Sequence, residues 1–113
     1  MNDYTEVVKG RIVGRQSGAP VKGAEVEIYD KDLLLDDYLG TVTTDKDGRF
    51  EIDFTWAEYK DTVFEGRPDI FLKVRNPATG KTTKSKVFHE LSGEVAEDDD
   101  SVEVMDLGDV AVD

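Results

Sequence analysis

The chain has 113 residues, of which 26 are acidic and 14 basic, with one histidine, no cysteine and a formal net charge of −12. This length predicts one domain over residues 1–113, and the absence of cysteine excludes a disulfide framework, a thiolate metal site and a thiol nucleophile. The acidic balance argues against nucleic acid as a partner, and the sequence has neither an apolar run of about 20 residues nor a signal-peptide pattern, so we expect a soluble chain without membrane insertion, in a compartment that the sequence leaves open.

Apolar residues at every second position predict four strands in the first half of the chain. These strands cover residues 5–13, 24–30, 38–44 and 49–54. In the second strand Ala24, Val26 and Ile28 alternate with polar residues, which indicates one buried face and one wet face. The segment 45–48 has the Asp and Gly positions of a hairpin turn, with Gly48 at the left-handed corner. The intervening segment 31–37 is predicted to be an acidic loop.

Three further strands are predicted in the second half, at 69–75, 82–89 and 102–112. The first of them places Ile70, Leu72 and Val74 inward, and the turn at 76–80 makes 82–89 its hairpin partner. The acidic segment 90–101 is expected to be a mobile loop. In the last strand the residues available to the core are Val104, Leu107, Val110 and Val112. Seven short strands without a long helix predict an all-β, seven-stranded antiparallel β-sandwich.

The turn residues and the alternating apolar residues follow a fixed order along the chain. The order is Val8-x-Gly10-x-Ile12, Gly18-x-Pro20-x-x-Gly23-Ala24-x-Val26-x-Ile28, Leu39-Gly40, Thr44-Asp45-x-x-Gly48-x-Phe50-x-Ile52 and Asp106-Leu107-Gly108-Asp109-Val110. This order resembles the prealbumin-like superfamily, nearest to the transthyretin-like domains and with the carboxypeptidase regulatory-like domains beside them. The resemblance implies a prealbumin-like (immunoglobulin-like) Greek key. It implies no single function, because the superfamily includes carriers, regulatory modules, adhesin repeats, hydrolases and dioxygenases.

Two enzyme groups of that superfamily are not expected here. Hydroxyisourate hydrolases need several histidines and a C-terminal Tyr-Arg-Gly-Ser, and intradiol dioxygenases hold iron with two tyrosines and two histidines. This chain has only His89 and ends in Val110-Ala111-Val112-Asp113. We therefore expect no enzyme activity, and no cofactor other than calcium is considered.

Calcium is a candidate because acidic residues gather in two loops, and Ca²⁺ takes six to eight oxygen ligands. The candidate ligands are Asp30, Asp32, Asp36 and Asp37 in the first loop and Asp45 and Asp47 in the second. The alternative, which we prefer, is that these aspartates form ordinary Asx turns and solvated loops.

Residues 67–89 form a basic island in an acidic chain, with six basic side chains against one acidic. Its members Lys73, Arg75, Lys84 and Lys86 are candidates for binding an acidic partner or a second copy of the chain. The alternative, which we prefer, is that Lys84 and Lys86 pair across a sheet with acids of the last strand.

Aromatic residues offer another candidate site. Trp56, Tyr59 and Phe64 together with Tyr38 are candidates for a platform that binds sugar or peptide, and the alternative is that they cap the core. His89 stands alone and is expected to be structural.

The residues favour a non-catalytic binding or assembly module that presents its edge strands and end loops to another protein or to itself. The first alternative is an enzyme of the same superfamily with a site in the 56–68 loop, around Glu58, Asp61, Glu65 and Arg67. The second alternative is a calcium-stiffened repeat of a surface protein.

Overall fold

The computed structural model describes residues 3–31, 37–57, 69–88, 94–96 and 99–113. Eight strands lie in these ranges: β1 (Asp3–Gly14), β2 (Glu25–Asp30), β3 (Asp37–Thr43), β4 (Arg49–Ala57), β5 (Ile70–Arg75), β6 (Thr82–Lys84), β7 (Glu94–Ala96) and β8 (Asp99–Val112). Within the described ranges no helix is long and apolar enough to span a bilayer.

The strands form two four-stranded sheets, in the order β4-β1-β8-β7 and β3-β2-β5-β6. The all-β sandwich predicted from the sequence is confirmed, and each of the seven predicted strands has a counterpart. The additional strand, β7, and the first residues of β8 fall in the segment 90–101 that was predicted to be a loop. The charged residues of that segment concealed the strand pattern around Val95.

The strand pairs are antiparallel with one exception, since β1 and β8 run parallel. Alternation of apolar and polar residues specifies which face of a strand is buried, but it carries no information on the direction of the neighbouring strand. The antiparallel prediction therefore failed at a pair that joins the two ends of the chain.

The turn between β3 and β4 was predicted to close a hairpin, and instead it carries the chain from the second sheet to the first. Its local geometry is that of an Asx turn, because the Oδ1 atom of Asp45 accepts the backbone N–H groups of Asp47 and Arg49, both at 2.9 Å. The carbonyl of Gly48 then accepts the N–H of Ile12 at 2.7 Å, which fixes the turn against β1. The residues that form the turn were predicted correctly. The sheet that the next strand joins depends on core packing and not on the turn residues.

The core lies between the two sheets and confirms the predicted faces. From the second sheet, Val26, Ile28, Ile70, Leu72 and Val74 are buried; from the first, Val8, Ile12, Phe50, Met105, Leu107, Val110 and Val112. Phe88 also joins the core, so in the predicted strand 82–89 it is Phe88 that faces inward.

The last strand departs from the prediction at one position. Val104 is half-exposed and its neighbour Met105 is buried in its place. The reason is an irregularity in the β1–β8 register at Gly108, whose φ is 71°, so that the buried positions change parity between Leu107 and Val110.

A buried hydroxyl joins the connection before β2 to the end of β3. The Oγ1 atom of Thr44 donates to the carbonyl of Val21 at 2.6 Å and accepts the N–H of Ala24 at 2.8 Å. Thr44 itself is buried. Both backbone groups are thereby satisfied away from water, which fixes the entry of the chain into β2.

Candidate functional site

The outer face of the second sheet brings together aromatic and basic side chains. Because Val26 and Ile28 on β2, and Leu72 and Val74 on β5, point into the core, the residues between them point outward. The strand registers then align two rows across the sheet. The first row is Tyr38, Tyr29 and Phe71, and the second is Thr41, Glu27, Lys73 and Lys84. We call the surface formed by Tyr29, Tyr38, Phe71, Lys73 and Lys84 the aromatic–lysine face.

Three rings form the aromatic row of this face. Tyr29 stacks on Phe71 with centroids 5.1 Å apart and planes 10° from parallel, and it meets Tyr38 edge-on at 5.6 Å and 61°. Phe71 is fully buried although the strand alternation directs it away from the core, whereas Tyr38 is 58% exposed. The Tyr38 and Thr41 hydroxyls share a hydrogen bond. The row therefore has a packed interior and one exposed ring at the β3 edge.

Three lysines of the second sheet and its last connection lie over aromatic rings. The distance from Nζ to the ring centroid is 4.9 Å for Lys73 over Tyr29, 4.7 Å for Lys84 over Phe71 and 5.2 Å for Lys86 over Phe88. Such contacts are cation–π interactions, which hold the ammonium group without neutralising it. Two ion pairs among the described residues, Arg11–Asp109 and Arg15–Asp113, do not involve these lysines.

Acidic residues on β2 border the basic side chains of β5. Glu25 lies opposite Arg75, and Glu27 lies opposite Lys73. The Tyr29 hydroxyl donates to Oε1 of Glu27 at 3.4 Å. The pKa of the Tyr29 phenol is raised from its ordinary value, first by burial of the group and then by the Glu27 carboxylate. The positive charge of the face is therefore displaced toward β5 and β6.

The preferred interpretation of Lys84 and Lys86, pairing with acids of the last strand, was wrong. β6 pairs with β5 in the second sheet, whereas β8 lies in the first sheet. The register partner of Lys84 is another lysine, Lys73. The sequence pattern carries no strand order, and the structure places β6 and β8 in different sheets.

Of the three other predicted aromatic residues, the structure describes the backbone position of Trp56 alone. Trp56 lies on β4 in the first sheet, opposite Tyr4, whereas Tyr38 belongs to the second sheet. Tyr59 and Phe64 lie outside the described residues, as do the residues of the enzyme alternative in the 56–68 loop, Glu58, Asp61, Glu65 and Arg67. The enzyme site therefore stays a prediction.

Some of the calcium candidates also lie outside the described residues and some lie within them. Asp32 and Asp36 lie outside the described residues, while Asp30 and Asp37 are register partners at the ends of β2 and β3. The Asp45 carboxylate caps its own turn, as an Asx turn requires. Among the residues that the structure places, no three His, Cys, Asp or Glu side chains are grouped as a metal site would need. Calcium binding stays a prediction.

The first sheet carries an ion pair on its outer face, and a groove lined by residues of both sheets lies beside it. The guanidinium of Arg11 donates through Nε and Nη2 to the two carboxylate oxygens of Asp109, both at 2.9 Å. This hydrogen bonding holds the pKa of Asp109 below its ordinary value and raises the pKa of Arg11. A groove of about 690 Å³ lies beside the pair, and its charged lining mixes both signs, for example Lys9 with Glu51. The pair joins β1 to β8 and has a structural role.

Comparison with known proteins identifies the fold. Chlorocatechol 1,2-dioxygenase from Pseudomonas putida is similar, with a TM-score of 0.61 and 13% identity over 97% of this chain and 61% of that one. A 9R-lipoxygenase from Cyanothece PCC8801 has a TM-score of 0.57 and 21% identity over 96% of this chain and 16% of that one. The dioxygenase domain of a dioxygenase carbohydrate-binding protein fusion from Streptomyces sp. SirexAA-E has a TM-score of 0.55 and 20% identity over 96% of this chain and 81% of that one. At these identities the likeness shows the fold alone.

The sequence comparisons give the family. A comparison with curated proteins yields no match. The family model of the TTR-52 transthyretin-like family matches residues 9–90, which run from β1 to just beyond Phe88 in the second sheet. The match covers well over half of the chain, and the protein therefore belongs to the transthyretin-like family.

Proposed function

We propose that residues 1–113 form one transthyretin-like domain that acts as a non-catalytic binding module, and that its aromatic–lysine face contacts a protein partner. The observation that carries the proposal is the outward row of rings that ends in Tyr38, 58% exposed, with lysines mounted over the rings beside it. Aromatic residues are enriched at the centres of protein interfaces because they offer a large rigid contact area with a polar tip.

The packing of the face also supports a binding role. Tyr29 and Phe71 stack at 5.1 Å in the free chain, so this part of the face is formed without a partner. A preformed surface loses little conformational freedom on binding, so that more of the contact energy is retained as affinity.

Edge strands flank the face on both sides. β3 and β6 are the outer strands in the order of the second sheet. An edge strand offers backbone donors and acceptors to an added strand, from another protein or from a second copy. The face and its edges therefore combine side-chain contact with backbone pairing.

Selection from a random dodecapeptide display library tests the proposal, because it presupposes no partner. Enriched peptides should lose binding to the double variant Tyr38→Ala, Lys84→Gln and keep it with the control Lys46→Gln, whose lysine lies in the turn before β4. Enriched peptides that bind both variants equally, or a selection that enriches nothing, would contradict the proposal.

A further inference from the structure

We propose that the partner segment on the aromatic–lysine face is an extended acidic peptide with carboxylates at every second position, held over β5 and β6. The inference rests on the proposed binding function and adds the chemistry of the partner. Three features of the face lead to it: two lysines opposite each other, the spacing of the cations along β5, and the acidic border on β2.

The two lysines are register partners. Lys73 on β5 lies directly opposite Lys84 on β6, and both side chains lie on the outer face over aromatic rings. Directly opposed like charges on neighbouring strands destabilise a sheet. A carboxylate placed between the two ammonium groups would convert this repulsion into two attractive contacts.

The cations repeat with the period of a strand. Lys73 and Arg75 lie two residues apart on the same side of β5, since Val74 between them is buried. Two residues of a strand span roughly 6.6–6.8 Å. Alternate side chains of an extended peptide have the same spacing, so a carboxylate on every second residue meets one cation after another.

The charge pattern also determines where the segment lies. Glu25 and Glu27 on β2 repel an acidic segment, whereas Lys84 on β6 lies on the far side of β5. The segment is thereby confined to the half of the face nearer β6. The net charge of −12 repels long polyanions, which favours a short acidic peptide over nucleic acid or a sulfated polysaccharide.

Three capped octapeptides, with alternating Glu–Thr, Gln–Thr and Lys–Thr sequences, test the inference. Each is titrated into the ¹⁵N-labelled full chain at low and at high NaCl concentration, and the amide shifts are mapped. We expect Glu–Thr to bind at least tenfold more tightly than Gln–Thr, to shift the amides of β5 and β6, and to weaken at high salt. The double variant Lys73→Gln, Lys84→Gln should lose at least tenfold in affinity, and the single variant Arg75→Gln should weaken in the same direction.

The control is Lys22→Gln with Lys46→Gln, which removes the same charge from two exposed turns. It should leave the affinity unchanged, and an equal loss in the control would show a general charge effect and overturn the inference. Binding of Gln–Thr or Lys–Thr as tight as Glu–Thr at the same amides would overturn the acidic chemistry and leave the binding function standing. Tighter binding of a sulfated tetrasaccharide than of Glu–Thr would overturn the assignment to a peptide. If no peptide, including those selected from the library, shifts amides of this face, both the inference and the proposed function fail.

Discussion

Replacing Gly48 by alanine should lower the free energy of unfolding for two reasons, which can be separated by experiment. Its φ is 74°, in the left-handed region that side chains with a Cβ avoid. A Cβ at this position would also lie 2.6 Å from the carbonyl oxygen of Ile12, 2.9 Å from a ring carbon of Pro20 and 3.0 Å from the backbone nitrogen of Val21. Two of these three atoms are backbone, so the crowding cannot be relieved by rotating a side chain.

The chain supplies a matched control. Gly80 has a φ of 73°, and a Cβ there would meet nothing within 4 Å. Gly80→Ala therefore carries only the backbone penalty, about 1–2 kcal/mol. Gly48→Ala adds the displacement of β1 and of the Val21 segment, which we place at about 1–3 kcal/mol by analogy with overpacked cores. The expected totals are about 1–2 kcal/mol for Gly80→Ala and about 2–5 kcal/mol for Gly48→Ala.

Urea unfolding followed by Trp56 fluorescence gives both free energies of unfolding, and thermal melting gives an independent comparison. With roughly 4 °C of melting temperature for each kcal/mol, the two variants should be clearly resolved. Equal destabilisation of both variants would refute the reasoning, because it would mean that the turn before β4 does not press against β1.

Three further predictions concern the core, a buried hydroxyl and the surface ion pair. Leu72→Ala, at a fully buried position, should cost about 2–5 kcal/mol of unfolding free energy, and Ile28→Val on the neighbouring strand only about 0.5–1.5 kcal/mol; similar values in urea titrations would contradict the packing. Thr44→Val leaves two backbone partners without their hydroxyl and should cost about 1–3 kcal/mol by the same titration, whereas Thr44→Ser keeps both bonds and should cost distinctly less. Asp109→Asn tests the lowered pKa of Asp109: a depressed folded-state pKa stabilises the fold above the ordinary carboxyl pKa, and this contribution is lost as the pH falls through the folded-state pKa. The difference in urea midpoint between wild type and Asp109→Asn should therefore shrink in acid, and a difference independent of pH would contradict it.

Alternation predicted the faces of the central strands, because burial on one side of a strand repeats every two residues. Val26 and Ile28 on β2, and Leu72 and Val74 on β5, are buried as expected. Glu6 shares the core face of β1 with Val8 and is also fully buried. Because Glu6 is charged, it was not predicted to be buried, although the two-residue period places it on the core face.

The candidate site was only partly readable from the sequence. The basic island was visible, and so was Tyr38, but the aromatic row requires the pairing of Tyr29 with Phe71, which lie on strands far apart in the chain. Register between distant strands is set by the whole core and has no local signal. Phe71 therefore gave no sign that it is covered on the outer face, and Lys84 was assigned to the wrong neighbours.

The bulge in the last strand did have a signal. Leu107 and Val110 are three residues apart around Gly108, which breaks a strict period of two and is typical of an inserted residue. The choice of Met105 over Val104 for the core follows from counting back from this break.

A double-mutant cycle on Lys73 and Lys84 tests the account most directly. The unfolding free energies of wild type, the two Lys→Gln variants and the double variant are measured in urea, without and with a saturating concentration of the Glu–Thr octapeptide. The cycle cancels the separate contact of each lysine with its ring and leaves the coupling between the two ammonium groups. In the free protein the coupling should be repulsive, roughly a few tenths of a kcal/mol, and the peptide should remove or reverse it. A coupling that is zero or attractive in the free protein, or one that the acidic peptide leaves unchanged, would contradict a face on which two opposed lysines share the carboxylates of a partner.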